Sequence, residues 1–393
     1  MAKMFQEIEG WFDFDDIYEL ALRRSSSRKP ARFVEIGAYK GRSSCYLAER
    51  IAETGKAIRL DVVDTFAGDP DVGERDLWPE FAANLARAGV LPRVQSHRCA
   101  SLDAAPRFAD GSLDFVFLDA RHTFEDVQRD LAAWWPKLGP GGLFAGHDYG
   151  YSPGVQAAVD AFVAAHGFQH AFRTSGASWL IYKSLVVDAA YCLSLPRRAD
   201  RRQKAAAQLR AAGLEGSVTF FDAIDGAALD HPHVVSDGQA GCAASHLAAL
   251  RAASETGHRH VLIFEDDVEL VPDFLSRMAT SLARCPSAYD LCYVGALCVE
   301  TWGNYLHPFD EYVARVGSVC GTHAYIANLE ALPEIEAGLG GLGRVIDDWY
   351  AAWFAPRGDT YAFVPYLAFQ AAGFSDVAQG HNANAAHAHY VWR

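Results

Sequence analysis

Between residues 31 and 185, short apolar runs alternate with longer stretches whose apolar positions recur every three or four residues. "ARFVEIGAY", "AIRLDVVDTF", "RVQSHRC", "LDFVFLD" and "GGLFAGHD" have strand length, whereas "SSCYLAERIAE", "WPEFAANLARAG" and "TFEDVQRDLAAWWPKL" carry helical periodicity. Strands separated by helices of this size predict a doubly wound, mostly parallel sheet, and "HAFRTS" with "ASWLIYKS" predicts a closing hairpin. At Val186 the alternation restarts. "LVVDAAYCLSL", "SVTFFDAI", "RHVLIFEDD" and "YDLCYVGA" read as strands; "RRADRRQKAAAQLRAAG", stopped by Gly213, and "CAASHLAALRAASETG" read as helices. The chain is expected to be α/β with two domains, 1–185 and 186–393, and no Pro- or Gly-rich linker separates them.

Composition agrees with two cores: the chain has 393 residues, half of them hydrophobic. A formal net charge of −14 argues against nucleic-acid or anionic-membrane binding. Arg197, Arg198, Arg201, Arg202 and Lys204 form a local basic cluster suited to a phosphate. Eight cysteines, without a CxxC pair, read as free thiols of a reducing compartment, and hence a cytoplasmic protein. The first residues lack the basic and apolar regions of a signal peptide, and no run reaches about 18 apolar residues. Peripheral contact at the inner face of the membrane is the most that is expected.

"VEIGAYKGRSS" places Glu35, Gly37 and Gly41 at the first strand–helix turn, where glycines let backbone approach a ligand. The spacing is neither the dinucleotide G-x-G-x-x-G nor a P-loop, which disfavours a nicotinamide oxidoreductase. It resembles the S-adenosylmethionine loop of Rossmann-like methyltransferases; the alternative is a merely tight turn. Asp64, ending the second strand, can accept bonds from ribose hydroxyls. The stretch "LDFVFLDARHTFEDVQRDLAAWWPKLGPGGLFAGHDY" resembles metal-dependent sugar O-methyltransferases. That resemblance, over residues 30 to 183, implies that Asp119, His122, His147 and Asp148 surround the reacting group and that Ser101 borders the adenine. Asp119, counted with the cofactor-binding residues, would also share with Asp148 a divalent cation holding vicinal hydroxyls, and His122 would act as base. The competing account makes both histidines backbone-bonded turn residues.

In the second half, "AAYCLSLPRRADRRQKAAAQL", "FFDAIDG", "GQAGCAASHLAALRAA", "HVLIFEDDVEL", "YDLCYVGA", "GTHAYIANLEALPEI", "VIDDWY" and "PYLAFQAAGFSDV" follow one another. This ordered set resembles glycosyltransferase family 25, the bacterial lipopolysaccharide galactosyltransferases, which implies a GT-A-like fold and an inverting transfer. Glu265 and Asp267 would then hold Mn²⁺ or Mg²⁺ against the diphosphate of a UDP-sugar, UDP-galactose being favoured. Their period-two spacing predicts that both face one side of the strand, with Asp266 on the other. Arg198 and Arg201 would contact the nucleotide or its phosphates, unless they form a solvated helix face. His246 matches a recurrent family position, with helix packing as the alternative. Asp347 and Asp348 stand where a base for the acceptor hydroxyl is expected, and Trp349 is a candidate sugar-stacking face. Ser194 departs from the Asn usual in the family.

The resulting expectation is a bifunctional enzyme acting on a saccharide or glycoconjugate acceptor. The alternative is a glycosyltransferase whose first domain binds S-adenosylmethionine or assists assembly without catalysis.

Overall fold

The computed structural model describes residues 4–69, 73–297, 306–371, 373–375 and 380–382. It divides into two compact units, Met1–Leu185 with Pro286–Ala288, and Val186–Cys285 with Tyr289–Arg393. Ala372, Asp376 and Val377 of the last quoted motif lie outside the described residues.

In the first unit, α1 (Asp15–Arg24) precedes β1 (Ala31–Ile36), α2 (Arg42–Thr54) and β2 (Ile58–Asp64). The two-residue pair β3 (Gly68–Asp69) and β4 (Gly73–Glu74) leads to α3 (Trp78–Arg87), β5 (Val94–Arg98), α4 (Ser101–Ala104) and β6 (Leu113–Leu118). Then come α5 (Phe124–Trp134), β7 (Leu138–Gly146), α6 (Pro153–His166) and the hairpin β8 (Phe172–Ser175) and β9 (Ser178–Tyr182). The sheet order is β5-β2-β1-β6-β7-β9-β8. The first five strands are parallel and β9 and β8 close the edge antiparallel, as the hairpin pattern predicts. The chain order reverses at β1, which has β2 on one side and β6 on the other, so ligands are expected at the C-terminal ends of these strands. One face of the sheet packs Trp134, Phe144, Phe162 and Trp179 beneath its helices. On the aromatic face, Phe14 and Tyr18 meet Phe117 at 4.5 and 5.0 Å between ring centroids.

The second unit runs β10 (Ala189–Ser194), α7 (Ala199–Ala211), β11 (Thr219–Asp222), α8 (Asp237–Glu255), β12 (His260–Glu265) and β13 (Val268–Leu270). It continues with α9 (Phe274–Arg284), β14 (Leu291–Leu297), β15 (Leu306–Pro308), β16 (Val313–Val316) and β17 (Cys320–Asn328). The last elements are α10 (Leu332–Leu339), α11 (Ile346–Trp353), β18 (Thr360–Phe363), β19 (Ala368–Gln370), β20 (Gly373–Ser375) and β21 (Gly380–Asn382). Eight strands form a mixed sheet in the order β11-β10-β12-β17-β14-β18-β16-β15. β10, β11 and β12 are parallel and end at one edge, where Ser194, Asp222 and Glu265 stand. Val261 to Phe264 are fully or almost fully buried, and burial of side chains of this size stabilises by about 1.5–3 kcal/mol each. The helix expected from Cys242 begins earlier, at Asp237, because Ser236 and Gln239 form a reciprocal capping box that satisfies two amides. Among the described residues, no helix is long and apolar enough to cross a membrane.

Candidate functional site

The turn from β1 into α2 is built by backbone. Gly37 has φ +87°, and a Cβ there would lie 1.8 Å from the carbonyl oxygen of Asp119. The glycine expected to admit a cofactor is therefore required first by the close approach of β6. Gly41, at φ +86°, likewise faces side chains of α3, with Leu85 2.7 Å from a Cβ. Asp64 receives the amides of Ala38 and Tyr39 on one oxygen, at 2.7 and 3.0 Å, and that of Phe66 on the other, at 2.6 Å. It shapes the turn whether or not it also meets a ribose.

Glu35 lies deeper than the turn. It was expected at the cofactor, yet it is 1 % exposed and receives hydroxyls from Tyr18 at 2.8 Å, Ser43 at 2.5 Å, and Ser44. Burial raises its carboxyl to about 7 against these three donors. Glu35 thus joins α1, β1 and α2 from inside. Ser101 opens α4, where its hydroxyl donates to Asp130 at 2.5 Å and accepts from Trp134 Nε1 at 2.8 Å. The structure ties it to α5, and nothing in its bonding marks it for an adenine.

Asp119, His122, His147 and Asp148 converge just past the ends of β6 and β7. Thr123 caps α5 by accepting from Asp126 N at 3.2 Å, which fixes His122 one residue ahead of the cap. His122 Nε2 lies 3.0 Å from Asp148 Oδ2 and 3.8 Å from Asp119 Oδ1. His147 Nδ1 is 3.5 Å from Asp148 Oδ1, and its Nε2 is 2.8 Å from Asp13. Asp119, His147 and Asp148 each offer a ligand atom, all within 4.8 Å of one another. The carboxylates of Asp119 and then Asp148 lift His122 to about 10, and the imidazoles of His122 and His147 hold Asp148 well below the usual carboxylate range. Burial opposes the rise in His147, but Asp148 and the nearby carboxylates leave it raised. As paired here, His122 is a cation, a state opposite to that required of a base.

In the second unit a cavity of ≈ 400 Å³ opens among Arg198, Arg201, His246, Glu265, Asp267 and Asp347. The alternation expected through the acidic triplet is not followed. β12 ends at Glu265, and Asp266 and Asp267 form a turn into β13. Arg201 Nη2 stands 2.5 Å from Asp266 and 2.9 Å from Asp267, and Ser194 donates to Asp266 at 2.8 Å. Asp267 Oδ2 accepts from Gln370 at 3.1 Å, while its Oδ1 is buried without a hydrogen-bond partner. Burial, then the charge of Glu265, pushes Asp267 up to about 7 despite Arg201. Glu265 turns the other way. Burial works against its charge, but the nearby imidazole of His246, 3.3 Å away without hydrogen-bond geometry, and the hydroxyl of Thr322, donated at 2.8 Å, hold it down to about 2.

Asp347, at the start of α11, accepts from the Gly321 amide and the Thr322 hydroxyl, both at 3.1 Å. Burial and then the charge of Glu265 raise it to about 6. Asp348 is exposed and does not line the cavity. Trp349 is 6 % exposed and stacks on Trp353 at 6.0 Å, so it packs the core rather than offering a sugar a face. Arg198 borders the cavity and holds Asp200 through two 3.0 Å bonds. Sequence reasoning missed Cys242, Thr322 and Gln370. Only Cys242 carried a local signal, its four-residue spacing from His246 on one helix.

The comparisons with known proteins fall on the same division. Residues 34–149 match the model described as "Methyltransferase domain", and residues 187–302 match "Glycosyltransferase family 25 (LPS biosynthesis protein)". The uncharacterized protein y4gI of Sinorhizobium fredii is 29% identical over 122 residues, which make up 30% of this chain and 13% of that relative. The chain therefore spans about an eighth of the length of the curated relative it matches. Among solved structures, the O-methyltransferase NovP is 21% identical with a TM-score of 0.35, covering 42% of this chain and 79% of its own. TomG from Streptomyces achromogenes, an O-methyltransferase solved in complex with SAM, is 20% identical with a TM-score of 0.32, covering 46% and 86%. The two matched segments thus lie one in each half of the chain, a methyltransferase domain model over 34–149 and a family 25 glycosyltransferase model over 187–302.

Proposed function

We propose that the chain modifies saccharides twice, by S-adenosylmethionine-dependent O-methylation in the first unit and by inverting transfer of a hexose, galactose from UDP-galactose, in the second. The observation that carries this reading is that each unit gathers carboxylates and histidines past the C-terminal ends of its parallel strands, where α/β sheets bind ligands. The acceptor is a glycoconjugate of the lipopolysaccharide class, and the protein acts in the cytoplasm or at the inner face of the membrane.

In the first unit, the mutual reach of Asp119, His147 and Asp148 fits a divalent cation. Such a cation would orient vicinal hydroxyls and make one more acidic. Asp119 and Asp148 would hold it, freeing His122 from the pairing that keeps it protonated, so that its imidazole can accept the hydroxyl proton. Gly37 and Asp64 keep the turn in the shape that S-adenosylmethionine requires.

In the second unit, the unpartnered buried Oδ1 of Asp267 fits a cation shared with Glu265. A Mn²⁺ or Mg²⁺ ion there would neutralise charge on the leaving diphosphate. Arg198 and Arg201, paired here with Asp200 and with Asp266 and Asp267, border the cavity where their charge would face the diphosphate, and Asp347, raised by burial, would take the proton of the acceptor hydroxyl. The experiment is incubation with a panel of UDP-sugars, S-adenosylmethionine and bacterial oligosaccharides, with products read by mass spectrometry. A hexose and a methyl added to the saccharide support the reading. UDP-galactose left intact with every acceptor defeats the donor assignment.

A further inference from the structure

We propose that Cys242, His246 and Glu265 form a binding site for a borderline-soft divalent cation, zinc in class, at the wall of the second unit's cavity. Cys242 and His246 stand four residues apart on α8 and so share a helix face. Glu265, at the end of β12, faces them. Each of the three offers one ligand atom, and these atoms all lie within 4.8 Å of one another. The second observation is His246 itself. The residue is 1 % exposed, and its Nε2 is buried without a hydrogen-bond partner, facing Glu265 Oε1 at 3.3 Å without the geometry of a bond. A buried nitrogen aimed at a carboxylate oxygen beside a sulfur is costly to leave unsatisfied, and a cation held among the three would take up its lone pair.

The surroundings hold these ligands in place. His246 Nδ1 contacts the Tyr325 hydroxyl at 2.9 Å, which leaves Nε2 to bind a metal and fixes the ring orientation. Thr322 donates to Glu265 Oε1 at 2.8 Å, and the cavity supplies an entry path. Sulfur, imidazole and carboxylate together suit zinc or cobalt better than the oxygen-seeking Mn²⁺ or Mg²⁺. Three protein ligands leave a position open toward the cavity, the pattern of catalytic rather than closed structural zinc sites. What fills that position rests on the donor-site reading above; the metal site does not.

The test strips the full-length protein with a chelator and titrates Co²⁺ alone, following the near-ultraviolet thiolate-to-cobalt charge-transfer band. One equivalent should develop the band, and Zn²⁺ should displace it. Cys242→Ser and His246→Gln should abolish it, with folding checked by circular dichroism. Asp119→Asn should leave it, since that residue belongs to the other unit. Tyr325→Phe, which removes only the hydroxyl behind His246, should weaken cobalt binding about 10- to 100-fold while retaining the band. No band in the wild type, or a band that survives Cys242→Ser, overturns the proposal. A band present without any sugar transfer upholds the metal site and removes the donor reading instead.

Discussion

Arg201 Nη2 lies 2.5 Å from Asp266 Oδ1, closing the acidic triplet onto an arginine of the helix that follows the first strand of its unit. Both side chains are largely buried, and Asp267 shares the same nitrogen. Removing the guanidinium leaves carboxylates buried with little compensation, so Arg201→Met should destabilise the second unit by about 3 kcal/mol. Denaturant unfolding checks this. Unchanged stability would mean that solvent already screens the pair.

Asp347 and Asp348 are adjacent in sequence but differ in surroundings. Asp347→Asn should lower sugar transfer about 10²- to 10⁴-fold, the usual contribution of a positioned base. Asp348→Asn should stay near the wild-type rate. With Asp347 raised to about 6 by burial and the charge of Glu265, transfer should rise with pH as this carboxyl loses its proton, levelling above that value. A pH–rate profile without that limb removes Asp347 from the role.

For Glu35, the sign follows from a folded-state value of about 7 against an ordinary 4.5. Between these values the folded chain keeps a proton that the unfolded chain has released. The contribution is therefore fully present below pH 4.5 and lost as pH rises through 7, by up to about 1.4 kcal/mol per pH unit. Unfolding measured from pH 5 to 8 should show this slope in the wild type and a flatter one in Glu35→Gln.

Gly37→Ala should cost the first unit about 3 kcal/mol or more, because a left-handed backbone and a 1.8 Å contact with the Asp119 carbonyl must both be relieved. Calorimetry should find S-adenosylmethionine binding lost and sugar transfer retained. Wild-type affinity in the variant would show that β6 can yield.

The strands were legible because their apolar runs are bounded by turns, and the four residues around His122 were singled out by the resemblance of their stretch to metal-dependent sugar O-methyltransferases. Period-two reasoning failed beyond Glu265, where the chain leaves the strand and a turn redirects two of the three carboxylates to Arg201. The bonding of Glu35 was hidden for a different reason: its partners Tyr18, Ser43 and Ser44 come from helices on either side of its strand, and no local pattern links them. Thr322, which joins Glu265 to Asp347, stands 57 residues from the first and 25 from the second, so only the fold brings it into view.

The central claim, two separable transferase centres in one chain, is tested most directly by measuring S-adenosylhomocysteine and UDP release from one reaction containing both donors and a saccharide acceptor. The wild type should release both. Asp148→Asn should lose only S-adenosylhomocysteine release, and Asp347→Asn only UDP release. A wild type that releases UDP but no S-adenosylhomocysteine with any saccharide would contradict the claim and leave the first unit a cofactor-binding module.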